Sequence, residues 1–245
     1  MTRFQSPISN PQSLIHLANY MPFWVRGKTV TIWKKGERQL EIGCFVPETA
    51  VLEPLLTESA ARHNHLCPRQ VLGVRLGLCG LRLLGLVGAD YLPRFNNANK
   101  RLLTIVETDG CGADGVAVAT RCFVGRRTLR VLDFGKMAAT LVDTWGELPP
   151  VRLWPHPEAR LLAQDVAEDA ESRWHAYLEA YQHIPDDQLL RAERVTLTQS
   201  VAEIISRPEA RIVCDQCGEE VRNEREVVKN GRFLCRPCAG EGYYR

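Results

Sequence analysis

Two Cys-x-x-Cys pairs, Cys214-Asp215-Gln216-Cys217 and Cys235-Arg236-Pro237-Cys238, stand seventeen residues apart near the end of the chain. Thiolates three positions apart grip one ion from a tight knuckle, and a second knuckle closes the tetrahedron that zinc prefers. A site of four cysteines is closed, so it leaves no position for a substrate and serves folding. Chemistry has to come from elsewhere. His63, His65 and Cys67 alternate just before Pro68. In extended backbone, residues at this spacing point to one face. The residue before proline avoids the helical region, and proline favours the first helical position. Cys67 is therefore expected at the N-cap of a helix, where the dipole favours a thiolate that binds metal or reacts. Cys111 follows a predicted strand, and Cys122 follows a predicted short helix. Either can join Cys67 and a histidine around a second transition ion with one position open, or act as a resolving thiol. Asp114 and Lys136 are candidates to orient an anionic ligand or a proton. His16, His156, His175, His183, Cys44 and Cys79 are isolated and read as structural.

The elements that must position these groups follow from periodicity and punctuation. A chain of 245 residues holds one large domain and a small one. A net charge of +2 argues against a nucleic-acid-coating protein and against an acidic tail. Residues 1–25 lack the continuous apolar core of a secretion signal, which points to the cytoplasm, where cysteines serve metals or reactive chemistry. The most apolar stretch, Val71 to Leu92, carries Arg75, Arg82, Asp90 and five glycines, so it reads as a buried helix of a soluble protein rather than a membrane span.

A short helix is expected over 12–20, then a hairpin of 29–33 and 39–45 around Lys34-Lys35-Gly36-Glu37. A helix from Pro47 or Thr49 to about Arg62 follows, and another from Pro68 to about Leu86. Gly73, Gly77 and Gly80 line one side of that second helix. Each costs about 1 kcal/mol in a helix interior, which implies close approach of another backbone. Strands are predicted over 101–107, 129–134 and 138–142, with a short helix over 114–120 and a loop over 122–127. The prolines at 149, 150, 155 and 157 predict an irregular break. One long amphipathic helix is expected over 158–182, a helical turn after Pro185, and a connector over 195–211.

His63-Asn64-His65-Leu66-Cys67-Pro68, with Leu72-Gly73-Val74-Arg75 after it, resembles the H-G-H-x-C-P…G motif of the FmdE-type family of formylmethanofuran dehydrogenase components. Glu107, Cys111 and Asp114 are similar to that family's second motif. Thr120-Arg121-Cys122-Phe123-Val124-Gly125 resembles its T-G-C-T-x-G loop, and Asp133-Phe134-Gly135-Lys136 its D-Y-G-K. The Trp174…Tyr177…Tyr181…Pro185-Asp186…Leu189-Leu190 run and the four-cysteine module are in family order, so the resemblance spans about 50–240. The sequence departs from the pattern at Asn64 and Arg121, which replace glycines, at Ala117 in place of a glutamine, and over Arg126-Arg127-Thr128.

The resemblance implies an α+β fold: a mixed or antiparallel sheet packed with helices around a Cys/His site, plus a C-terminal treble-clef zinc finger. The implied division is an extension over 1–45, a core over 46–195, a connector over 196–211 and the finger over 212–245. It also implies a homodimer, with which the glycine-lined helix agrees. Family members accompany molybdenum or tungsten formylmethanofuran dehydrogenases. Three functions stay open: an enzyme or accessory factor with a core metal at His63, His65, Cys67, Cys111 or Cys122, a metal- or sulfur-handling carrier for a molybdenum or tungsten enzyme, and a zinc-finger regulator. The finger mixes Arg211, Arg222, Arg225, Lys229, Arg232, Arg236 and Arg245 with Asp215, Glu219, Glu220, Glu224, Glu226 and Glu241. It lacks a basic stripe, so nucleic acid is not the expected partner.

Overall fold

A computed structural model describes residues 20–25, 28–34, 39–88, 95, 97–146, 148–207 and 209–244. The chain divides into two compact units, Met1–Thr196 and Leu197–Arg245. In the first, strands β1 (Tyr20–Val25) and β2 (Lys28–Lys34) form an antiparallel hairpin. Helices α1 (Thr49–His63) and α2 (Pro68–Leu83) follow. Then come β3 (Leu102–Val106), α3 (Cys111–Thr120), β4 (Leu129–Val131), β5 (Ala139–Asp143) and β6 (Val151–Pro155). The unit closes with α4 (Ala159–Val166), α5 (Arg173–His183), α6 (Asp186–Leu189) and β7 (Leu190–Arg194).

Five strands make one sheet in the order β4-β3-β5-β6-β7. Central β3 reads Leu-Leu-Thr-Ile-Val and central β5 Ala-Thr-Leu-Val-Asp, and every residue of both is buried. Such continuous burial suits a strand covered on both faces. β3 and β4 are parallel because α3 carries the chain back between them, the crossover that a parallel pair requires. All other pairs in this sheet are antiparallel. The sheet is therefore mixed, as the fold class predicts.

Helix α2 is buried on all sides from Gln70 to Leu83. Arg75 lies inside at 0% exposure. Its guanidinium donates to the carbonyls of Tyr181 and Ile184, each at 2.7 Å, and to Asp186 Oδ1 at 2.8 Å. Arg82 reaches Asp186 Oδ2 at 3.1 Å. A buried charge of this kind is tolerable only when paired and hydrogen-bonded, so the network fixes α2 against the 181–186 turn.

The glycines of α2 meet α3 of the same chain. A Cβ on Gly73 would stand 2.3 Å from the Gly112 carbonyl oxygen, and one on Gly115 would stand 2.3 Å from the Gln70 carbonyl oxygen. One turn further on, Gly77 faces Ala119 and Thr120. Positions rise together along both helices, so α2 and α3 run parallel with their backbones in contact. Gly80 faces the sheet at Leu141 and Leu153. The close approach was legible, but its partner is internal, and the stripe gives no support to a dimer.

Several elements differ from expectation. The helix expected over 12–20 falls outside the described residues up to position 19, and Tyr20 begins β1. Residues 39–45 make no hairpin with β2. Gln39 bridges Glu193, and Leu40 N–H donates to the Ala192 carbonyl at 2.9 Å, so this segment lies along β7. Strands β4 and β5 do not pair with each other but flank β3 on opposite sides. The proline-rich break contains β6, since Val151 to Trp154 alternate and prolines sit only before and at the end of the strand. The single helix expected over 158–182 is two, because Ser172 caps α5 by accepting from His175 N–H. No helix among the described residues is long and apolar enough to cross a membrane.

Candidate metal centre and core thiol site

The second unit is built of α7 (Val201–Ile205), β8 (Arg211–Val213), β9 (Glu220–Arg222), β10 (Val227–Lys229) and β11 (Arg232–Leu234). β8 and β9 pair around the first knuckle, where Cys214 N–H donates to Glu219 O at 2.9 Å and Gly218 takes φ 77°. β10 and β11 pair around Asn230 and Gly231, both also left-handed. A helical turn carries Cys235 and Cys238, with Ala239 N–H donating to Cys235 O. Asp215 joins knuckle and hairpin by accepting from Phe233 N–H at 2.7 Å. The four sulfurs all lie within 4.8 Å of one another, with Cys217 and Cys235 at 3.8 Å. Four Zn–S bonds of about 2.3 Å in a tetrahedron require sulfur separations of about 3.8 Å, so the site fits zinc. N–H groups of Cys217 and Cys235 aimed at Cys214 hold its thiol down at about 6.

The core site begins where α1 ends. His63 is the last helical residue, and Asn64 takes the left-handed C-cap at φ 63°. Asparagine and glycine tolerate that conformation best, which accounts for this departure from the glycine of the motif. The chain turns at Asn64, so His63, His65 and Cys67 do not share the face of an extended strand. The turn still brings the imidazoles together, with ring centroids 4.7 Å apart. Cys67 is the N-cap of α2 with Pro68 behind it, as expected. Gln70 Oε1 accepts from Cys67 N–H at 2.8 Å, and its Nε2 donates to the Ser59 carbonyl at 2.8 Å. This buried glutamine ties the end of α1 to the start of α2.

Cys111 is the first residue of α3, a helix that starts three residues before the predicted Asp114. Its Sγ lies 3.3 Å from His63 Nε2. Because α2 and α3 are parallel, their N-termini finish on one side of the unit, and the Cys67 and Cys111 thiols interact there. Two helix ends with partial positive charge thus meet at two sulfurs. Even so, Cys67 is not the low-pKa thiol predicted from its capping position. Burial pushes it up, with Cys111 adding to the rise, and the N–H groups of Gln70 and Arg69 offset only part.

Cys122 does not join these residues. It is buried behind α3, within 3.3 Å of Thr104 Oγ1 and 3.4 Å of Asn97 Nδ2, and burial raises its thiol too. Asp114 is half-buried in the first turn of α3. Lys136 is exposed on a loop whose Phe134 and Lys136 N–H groups both donate to the Glu107 carbonyl. Met137, next along, packs on Gly112, so this loop borders the Cys111 end of α3. Arg152 grips the Glu107 carboxylate at 2.6 and 2.8 Å. Sequence reasoning missed Gln70 and Arg152. The spacing Cys-Pro-x-Gln is a capping-box signature with cysteine in place of serine, and it marks Gln70. Among the described residues, the finger cysteines are the one group of three or more possible ligands gathered within 4.8 Å. The core set is therefore spread more widely than the finger set.

A mixed sheet with a Cys/His cluster at paired helix ends, followed by a four-cysteine finger, defines the class: an α+β metal-binding protein with an appended C4 zinc finger. Residues 62–191, just over half the chain, match the family model described as FmdE, molybdenum formylmethanofuran dehydrogenase operon, and the chain belongs to that family. Residues 208–244 match the prokaryotic dksA/traR C4-type zinc finger. A curated relative from Archaeoglobus fulgidus, named probable S-adenosyl-L-methionine-binding protein, is 31% identical over 210 residues. That match takes in 78% of this chain and 54% of the relative, so the chain spans about half the relative's length. A solved structure of an FmdE-like tungsten formylmethanofuran dehydrogenase protein from Syntrophus aciditrophicus is 21% identical. It aligns over 79% of this chain and 95% of its own with a TM-score of 0.49.

Proposed function

We propose that His63, Cys67 and Cys111 form a second metal site in the core unit, with His65 at its rim and one position open to a ligand. The observation that carries this reading is the 3.3 Å approach of Cys111 Sγ to His63 Nε2, beside the Cys67 thiol. Two sulfurs and an imidazole suit zinc or another borderline-soft ion, and three protein ligands with a vacancy are the pattern of catalytic rather than structural sites. Such an ion supplies Lewis acidity to a bound oxygen. Asp114 and the loop carrying Lys136 would border the ligand. We infer further, from the family's description alone, that the chain is an enzyme or accessory factor in molybdenum- or tungsten-dependent one-carbon metabolism. A metal or sulfur carrier is the second reading, favoured by the looser gathering of the core ligands compared with the finger. The homodimer remains a proposal resting on the family resemblance, and sedimentation at micromolar concentration tests it.

Metal analysis of the full chain after loading with zinc or cobalt is the direct test. The wild type is expected to hold two ions per chain, and Cys67→Ser and Cys111→Ser one each. Cys235→Ser is expected to keep the core ion, and His65→Ala to weaken it. Rapid loss to a mild chelator would favour the carrier, and slow loss the enzyme. S-adenosyl-L-methionine, the ligand in the archaeal relative's name, joins the panel of binding probes. A wild type that never exceeds one ion per chain overturns the metal reading.

A further inference from the structure

We propose that Cys67 and Cys111 are a redox pair that closes to an intramolecular disulfide in the presence of a peroxide. The pairing rests on the α2–α3 joint. The two helices touch through glycine backbones, and their first turns lie level: a Cβ on Gly112 would sit 3.6 Å from the Arg69 carbonyl oxygen. Cys67 caps one helix and Cys111 opens the other. Backbones this close hold paired cysteines within the Cα range of about 4.4–6.8 Å that a disulfide needs. The thiols already interact across the joint.

Access differs along the pair in the order the chemistry needs. Cys111 is half-buried and Cys67 buried, so an oxidant arriving from solvent meets Cys111 first. The Cys111 sulfur takes one oxygen from hydrogen peroxide and becomes a sulfenic acid, releasing water. The Cys67 sulfur then attacks that sulfur and expels the oxygen as a second water. Overall, two thiols and one peroxide give one disulfide and two waters. The two sulfurs lose two electrons, the peroxide gains them, and both thiol protons leave in water. Cys122 and Cys79 are buried elsewhere in the core, so neither competes as the resolving thiol. The disulfide consumes two of the three ligands assigned above. Its consequence for metal binding rests on that reading, but its formation does not.

Tryptic mapping without reductant tests this on the full, zinc-loaded chain treated with stoichiometric hydrogen peroxide. Cleavage after Arg62, Arg69, Arg101 and Arg121 isolates Cys67 on peptide 63–69 and Cys111 on peptide 102–121, each with no other cysteine. The expected product is these two peptides joined, two hydrogens lighter than their sum, and separated again by dithiothreitol. Cys67→Ser and Cys111→Ser should each abolish it, and Cys122→Ser should leave it. Recovery of Cys67 as a free thiol beside sulfinic Cys111, or joined to any other cysteine, overturns the pair. Metal analysis of the reduced protein separates the two readings. A disulfide in a chain that holds only the finger ion sinks the core metal alone, and a core ion without the disulfide sinks the redox pair alone.

Discussion

Replacing Gly73 by alanine tests the joint on which the core site depends. The new Cβ would stand 2.3 Å from the Gly112 carbonyl oxygen and 3.0 Å from both the Gly115 Cα and the Val116 nitrogen. A carbon–oxygen contact settles at roughly 3.3 Å, so the helices must part by about 1 Å. All three obstacles are main chain, and none can swing aside. Overpacking costs about 1–3 kcal/mol, and alanine returns about 1 kcal/mol in a helix interior. With only backbone in the way the cost falls at the upper end, and the net loss is about 2 kcal/mol. Gly80→Ala is the control on the same helix. Its Cβ meets Leu141 Cδ2 at 2.7 Å and Leu153 Cδ1 at 3.1 Å, which are the ends of flexible side chains. Strain and helix gain then nearly cancel, within about 0.5 kcal/mol. Urea unfolding with unchanged m-value measures both variants. A Gly73→Ala protein as stable as Gly80→Ala would refute the parallel backbone contact.

In the finger, Cys235→Ser is expected to lose zinc and to expose residues 210–244 to protease, because metal binding and folding are one process in such modules. Zinc retained at full occupancy in that variant would rule out the four-cysteine assignment. Arg121 caps α3 at φ 55°, a conformation that costs a residue with a Cβ about 1 kcal/mol. Arg121→Gly should therefore gain about 0.5–1 kcal/mol, since its ion pair with Glu58 is exposed and contributes less. A destabilised Arg121→Gly in urea melts would show that the ion pair outweighs the backbone strain.

What the sequence displays most clearly is local. Cys67-Pro68 marks a helix start because proline restricts both its own φ and the residue before it, and the structure has that start. The glycine spacing in α2 announces a close backbone, but spacing names no partner. Only the arrival of α3 from some forty residues on shows that the contact is internal. Strands β4 and β5 look like a hairpin because a Gly-Lys turn separates them, and the competition for β3 from either side is invisible locally. At the core site, His63, Cys67 and Cys111 were legible as types with the right chemistry. Cys122 was not separable from them, because a cysteine facing the core behind α3 carries the same letters as one facing the site. The thiol of Cys67 shows the same limit: the capping position is local and favours a thiolate, while the burial that opposes it comes from distant chain.

The α2–α3 joint has a consequence for how this protein can change. Sulfur spacing at the site is dictated by main chain against main chain, not by the loops that surround it. The rim is carried instead by 64–66, 121–128 and the turn around Lys136, and two of the chain's departures from its family pattern, Asn64 and Arg121, fall there at left-handed positions. Selectivity and reactive geometry are thus inherited separately. The loops are free to drift, to be shortened or to be exchanged between relatives, while the pair of sulfurs stays where two glycine-lined helices leave it.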